Sequence, residues 1–173
     1  TSQWVLTRAA DNDFISEQTL SLGYVTGTGA NDLITITKNG TTATVTVQAF
    51  ANADFTSPIM VPGSPTQAKP AGTTTYTYSF PLTKRIVIDA GASNDRITLD
   101  ADLGVTVLVR GMHGTDELVV MGKGAASGTY TPDTRTSVGL DGLPNMRGEI
   151  VVGSTKILFQ EFEYSNDNNA GND

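Results

Sequence analysis

The chain has 173 residues, a formal net charge of −7, 38% hydrophobic and 17% charged residues, one His and no Cys. That length suits a single domain able to bury a core without metals or disulfides. The lack of Cys excludes zinc fingers, iron–sulfur sites, cysteine nucleophiles and disulfide scaffolds, and an acidic balance with scattered Lys and Arg excludes a nucleic-acid partner or an anionic membrane surface.

Residues 1–26 are mixed in character. Trp4, Val5 and Leu6 form a short apolar patch, a candidate strand for complementing a neighbouring chain, and Ser16 to Leu22 fits a strand or a single helical turn. From Leu33 to Thr37 apolar and polar residues alternate, and after the turn dipeptide Asn39-Gly40 the alternation resumes through Val45, Val47 and Ala49. This predicts a hairpin. Residues 51–73 carry Pro58, Pro62, Pro65 and Pro70. Each Pro removes a ladder donor, so this stretch predicts an irregular excursion. Strands are expected again at Thr74–Phe80, Ile86–Asp89, Arg96–Leu99, Val105–Val109 and Glu117–Met121. Gly122 to Gly148 reads as irregular, and Glu149–Val152 and Lys156–Phe162 read as strands around the turn Gly153-Ser154. No segment holds a 3.6-residue period, so the fold class is all-β.

One turn recurs. It stands at Gly27-Thr28-Gly29-Ala30-Asn31-Asp32, at Ala90-Gly91-Ala92-Ser93-Asn94-Asp95, at Gly111-Met112-His113-Gly114-Thr115-Asp116 and at Asn168-Asn169-Ala170-Gly171-Asn172-Asp173. After the first three, apolar residues follow two and four positions beyond the Asp: Ile34 and Ile36, Ile97 and Leu99, Leu118 and Val120. Residues spaced by two face one side of a strand. Asp95 and Asp116 are 21 residues apart, the length of one coil of a parallel β-solenoid, and Asp32 lies 63 residues before Asp95. The expectation is a β-solenoid or β-helix-like repeat in which Ile97 lies beside Leu118 and Leu99 beside Val120. A β-sandwich is the alternative. Residues 1–26 then form an N-terminal segment and 27–173 a single β domain.

Pooled, these turns resemble the haemolysin-type (RTX-like) Gly-Asp repeat. Their order, with Gly128-Thr129-Tyr130-Thr131-Pro132 and the run Gly153-Ser154-Thr155-Lys156-Ile157 to Glu163, is similar to the repeat units of large extracellular bacterial surface proteins. On that resemblance the chain spans one full unit and the first turn of another. It implies an extracellular or cell-surface setting, which the lack of Cys and the wealth of Thr, Asn, Asp and Gly also favour. It further implies structural calcium, with Asp32, Asp95 and Asp116 as candidate ligands. The chain departs from the family pattern at Thr28, Ala30, Ala90, Ser93 and Met112, which stand where that pattern has Gly. The competing reading of the same residues is that each Asp caps its own turn.

No catalytic constellation is legible. His113 is the sole imidazole and sits in a turn without a recognisable nucleophile motif. Tyr76, Tyr78 and Phe80 alternate with Thr75, Thr77 and Ser79. They line one strand face, so Tyr76 and Tyr78 are candidate sugar-stacking residues if that face is open and core residues if it is not. The reading that follows is a non-catalytic structural or adhesive module, associating with itself or with tandem neighbours and needing no cofactor other than calcium. A carbohydrate-binding module for polysaccharide and a fragment of a polysaccharide-active enzyme are the alternatives.

Overall fold

The computed structural model describes residues 23–60, 74–83, 85–133 and 146–163, with strand backbone also at 4–5, 17–18, 137–138 and 144–145. Among the described residues every regular element is a strand: β1 Trp4–Val5, β2 Glu17–Gln18, β3 Gly23–Thr26, β4 Asn31–Asn39, β5 Thr42–Phe50, β6 Thr75–Pro81 and β7 Ile86–Ala92. Then follow β8 Arg96–Asp100, β9 Thr106–His113, β10 Glu117–Met121, β11 Gly128–Pro132, β12 Ser137–Val138, β13 Pro144–Val152 and β14 Thr155–Glu163.

The strands form two large mixed sheets, neither closed. One has five strands in the order β10-β8-β4-β5-β6; the other has seven, in the order β11-β13-β14-β9-β7-β3 with β12 also on β13. The middle of each sheet is parallel: β4–β8–β10 in the first, β3–β7–β9–β14 in the second. The flanks are antiparallel. β5 and β6 extend the five-stranded sheet beyond β4, and β13 and β11 extend the other beyond β14. β1 pairs with β2 in a separate antiparallel ladder, Trp4 opposite Gln18 and Val5 opposite Glu17.

A single hydrophobic cluster draws on both sheets. The five-stranded sheet supplies Ile34, Ile36, Ile97 and Leu99, all fully buried, and the seven-stranded sheet supplies Val25, Ile88, Val109 and Phe159 from one cross-strand row. Burying each such side chain contributes roughly 1.5–3 kcal/mol. The register is the expected one where the turns repeat: Ile97 pairs with Leu118 and Leu99 with Val120. Leu118 and Val120 pack against the core but remain half-buried, because β10 ends its sheet.

The 63 positions from Asp32 to Asp95 do not separate their strands. β4 lies directly beside β8, with Ile34 opposite Ile97 and Ile36 opposite Leu99. The intervening residues leave the parallel stack as β5, the Pro-rich stretch and β6. Of that stretch, 51–60 hold turns and an isolated bridge between Phe50 and Pro58. Pro62, Pro65 and Pro70 lie outside the described residues, as do Leu6 and the turn Asn168–Asp173.

Candidate functional site

Three times the chain turns a corner from the seven-stranded sheet into the five-stranded one: between β3 and β4, between β7 and β8, and between β9 and β10. Since the strands on either side are stacked in parallel register, the corners stack too. Asp32, Asp95 and Asp116 are thereby brought into one column, and all three are buried.

The column is a ladder of side-chain-to-backbone bonds. Asp95 Oδ1 accepts the amide N–H of Asp32 at 2.7 Å, and Asp116 Oδ1 accepts the amide N–H of Asp95 at 2.9 Å. At its first rung Asp32 closes its own turn, with Oδ2 accepting the Thr28 amide and Oδ1 the Thr28 hydroxyl. A second ladder runs alongside. Asn31 Oδ1 accepts the amide of Asn94 at 3.1 Å, and Asn94 Oδ1 accepts the amide of Thr115 at 2.9 Å. Each carboxylate or amide side chain thus satisfies a backbone donor that bends away from the sheet ladder. A buried donor left unmet costs about 1–3 kcal/mol. The Asp residues are corner caps, and Asp95 and Asp116 each cap the backbone of a neighbouring corner.

Close approach of the backbones fixes the small residues. A Cβ on Gly27 would stand 1.7 Å from the Ala90 carbonyl oxygen and 2.7 Å from Asp32 Oδ2. Ser93 and Met112 adopt positive φ, 79° and 81°. These are two of the positions where the resembled pattern has Gly, and the backbone there keeps the conformation Gly adopts at least cost.

Burial governs the electrostatics of the column. Asp95 is 1% exposed, and its Oδ2 has no hydrogen-bond partner. Loss of solvation pushes its carboxyl up to about 9. The carboxylates of Asp32 and Asp116 add to the rise, and the Asp32 amide opposes it. Among the described residues no group of three or more His, Asp or Glu side chains converges as a set of metal ligands.

A second polar cluster lies one residue before the corners. Arg110 Nε is 2.6 Å from Asp89 Oδ1, and the Tyr24 hydroxyl donates to Asp89 Oδ2. Burial and the bond to Asp89 push the Tyr24 phenol up to about 12. Asp89 and Arg110 are adjacent rungs of the seven-stranded sheet. Each stands six residues before its corner Asp, so the repeat that aligned the corners already aligned this pair.

The other candidates fall elsewhere. Tyr76 is 3% exposed and belongs to the core, while Tyr78 is half-buried and stacks on Phe80 at 6.3 Å. The aromatic row therefore faces the other sheet, and Tyr76 offers no open ring face for a sugar. His113 is exposed at the end of β9. Trp4 and Val5 are paired with Gln18 and Glu17 of the same chain. No family model, curated protein or solved structure matches the chain.

Proposed function

We propose that the chain is a non-catalytic structural module of an extracellular bacterial surface or filament protein, with the three stacked corners forming a short parallel solenoid segment. The observation that carries this reading is the repeated Asp-to-amide rung. The same buried bond joins coil to coil twice over, and such a ladder locks register without forming a reaction centre. The sheet ends support association with further copies or tandem neighbours. In the end strands β3, β6, β10 and β11, Glu117 alone is charged. Edge strands that avoid pairing usually carry Lys, Pro, inward charges or bulges; Pro81 ends β6 and Pro132 ends β11, whereas β3 and β10 carry no Pro. Under this reading the corners rely on hydrogen bonds, and calcium has at most a minor role.

Two measurements test the proposal. Sedimentation and electron microscopy over a concentration series should show elongated assemblies; a monomer at every concentration would remove the filament reading. Melting with chelator and with added calcium should give the same midpoint, since a ligand held only by the folded state raises stability by mass action. A rise of more than about ten degrees on adding calcium would make the corners metal sites. The burial of Tyr76 weighs against the carbohydrate reading.

A further inference from the structure

We propose that the corner column is an acid-stabilised lock: Asp95 holds a proton in the folded protein, and the stack of corners weakens as alkali removes it. The geometry sets three carboxyl groups in one buried file. Asp95 is the middle one, with Asp32 of β4 on one side and Asp116 of the β9–β10 corner on the other. Its Oδ1 is engaged by the Asp32 amide, and its Oδ2 is buried without a partner. An ionised oxygen in that position lacks both water and a donor, whereas a neutral carboxyl does not carry the cost of a buried charge.

The surrounding charges do not relieve it. The charged groups that act on Asp95 are the two flanking carboxylates, and both disfavour its ionisation. The cations of neighbouring elements are directed elsewhere. Arg96, next in sequence on β8, reaches Glu117 of β10 at 2.5 Å and lies over the Phe55 ring. Arg110 of β9 pairs with Asp89 of β7. His113 at the end of β9 acts with Arg110 on Glu161 of β14, whose carboxyl burial also pushes up.

The sign of the pH dependence follows. The Asp95 carboxyl lies at about 9 in the folded chain and near 3.9 in an unfolded one. Between those values the folded state holds a proton that the unfolded state releases, so stability falls as pH rises. The contribution is complete below about pH 4 and gone above about pH 9. A carboxylate held by a salt bridge behaves in the opposite way.

Asp95→Asn tests this in the full chain, with chelator present throughout. The amide keeps the Oδ1 acceptor and the size of the side chain but cannot ionise. The gap between variant and parent should widen from pH 5 to pH 8.5, because the parent loses a stabilising proton over that range and the variant does not. At pH 8.5 the variant should melt at least about 4 °C higher, a shift of the size expected from a change of about 1 kcal/mol. A variant that melts no higher than the parent at pH 8.5 overturns the proposal. Should the variant fail to fold, carbon NMR of the unaltered chain decides. An Asp95 carboxyl that titrates above pH 7 supports the lock, and a midpoint at or below 7 removes it.

Discussion

At the corners, β8 is tied to β4 and β10 by buried Asp and half-buried Asn side chains as well as by the sheet ladder. In the β4–β5 hairpin, nine residue pairs from Asn31–Phe50 to Asn39–Thr42 are held by pairing and packing around the exposed turn at Gly40. Both arrangements fix register, but they concentrate it differently. A hairpin sets its register at one turn and propagates it along the strands. A parallel pair has no connecting turn, so each corner must carry its own side-chain lock. The corners should therefore be intolerant of change at single atoms, and the hairpins tolerant.

The same substitution at two glycines is the strongest way to break that contrast. Gly27→Ala places a Cβ 1.7 Å from the Ala90 carbonyl oxygen, and the two corners must separate to admit it. A loss of about 4 kcal/mol or more in urea unfolding is expected. Gly40→Ala meets no atom within 4 Å and has only its φ of 60° to contend with. It should cost about 1–2 kcal/mol. Equal losses at the two sites would show that the corners carry no special constraint.

Core truncation sharpens the comparison between centre and flank. Leu99 is fully buried in the parallel centre, and Leu99→Ala should cost about 2–5 kcal/mol. Tyr130 on the end strand β11 is 52% exposed and stacks on Phe159 at 5.9 Å. Tyr130→Ala should cost about 1 kcal/mol. Both are read from the same urea titration, and a Tyr130 loss matching that of Leu99 would make the flank part of the stability core. The smallest effect belongs to Arg96 and Glu117, an exposed pair with side chains 45% and 54% accessible. A double-mutant cycle should give about 0–1 kcal/mol of coupling, fading at high salt.

Local alternation makes most strands legible in the amino-acid sequence. The Asn39-Gly40 turn, the β4–β5 hairpin and the rows Ile97–Leu118 and Leu99–Val120 follow from period-two patterning and turn chemistry. Four elements escape it, each for a physical reason. β12, Ser137–Val138, is only two residues long. β3, Gly23–Thr26, is too short for its alternation to stand out. β11 is exposed along its whole length, so it has no apolar face to betray it. In β13 the register shifts between Met146 and Gly148, and that irregularity breaks the period. The recurring Asp residues are visible in the sequence, but their bonding is not, since a capping carboxylate normally serves its own turn.

The sequence alone determined what neighbouring residues decide: which segments extend, which faces are apolar, and where the chain must bend. The tertiary structure decided what is lent to whom. Asp95 meets the amide of a residue 63 positions earlier, and Asp116 that of one 21 positions earlier. The 21-residue spacing of the turns did not foretell the first partner, because a hairpin and a Pro-rich stretch intervene between two adjacent rungs. Burial follows from the same stacking. A carboxyl in an isolated turn is hydrated, and only when neighbouring corners close on both sides does it lose water and face two others of its kind.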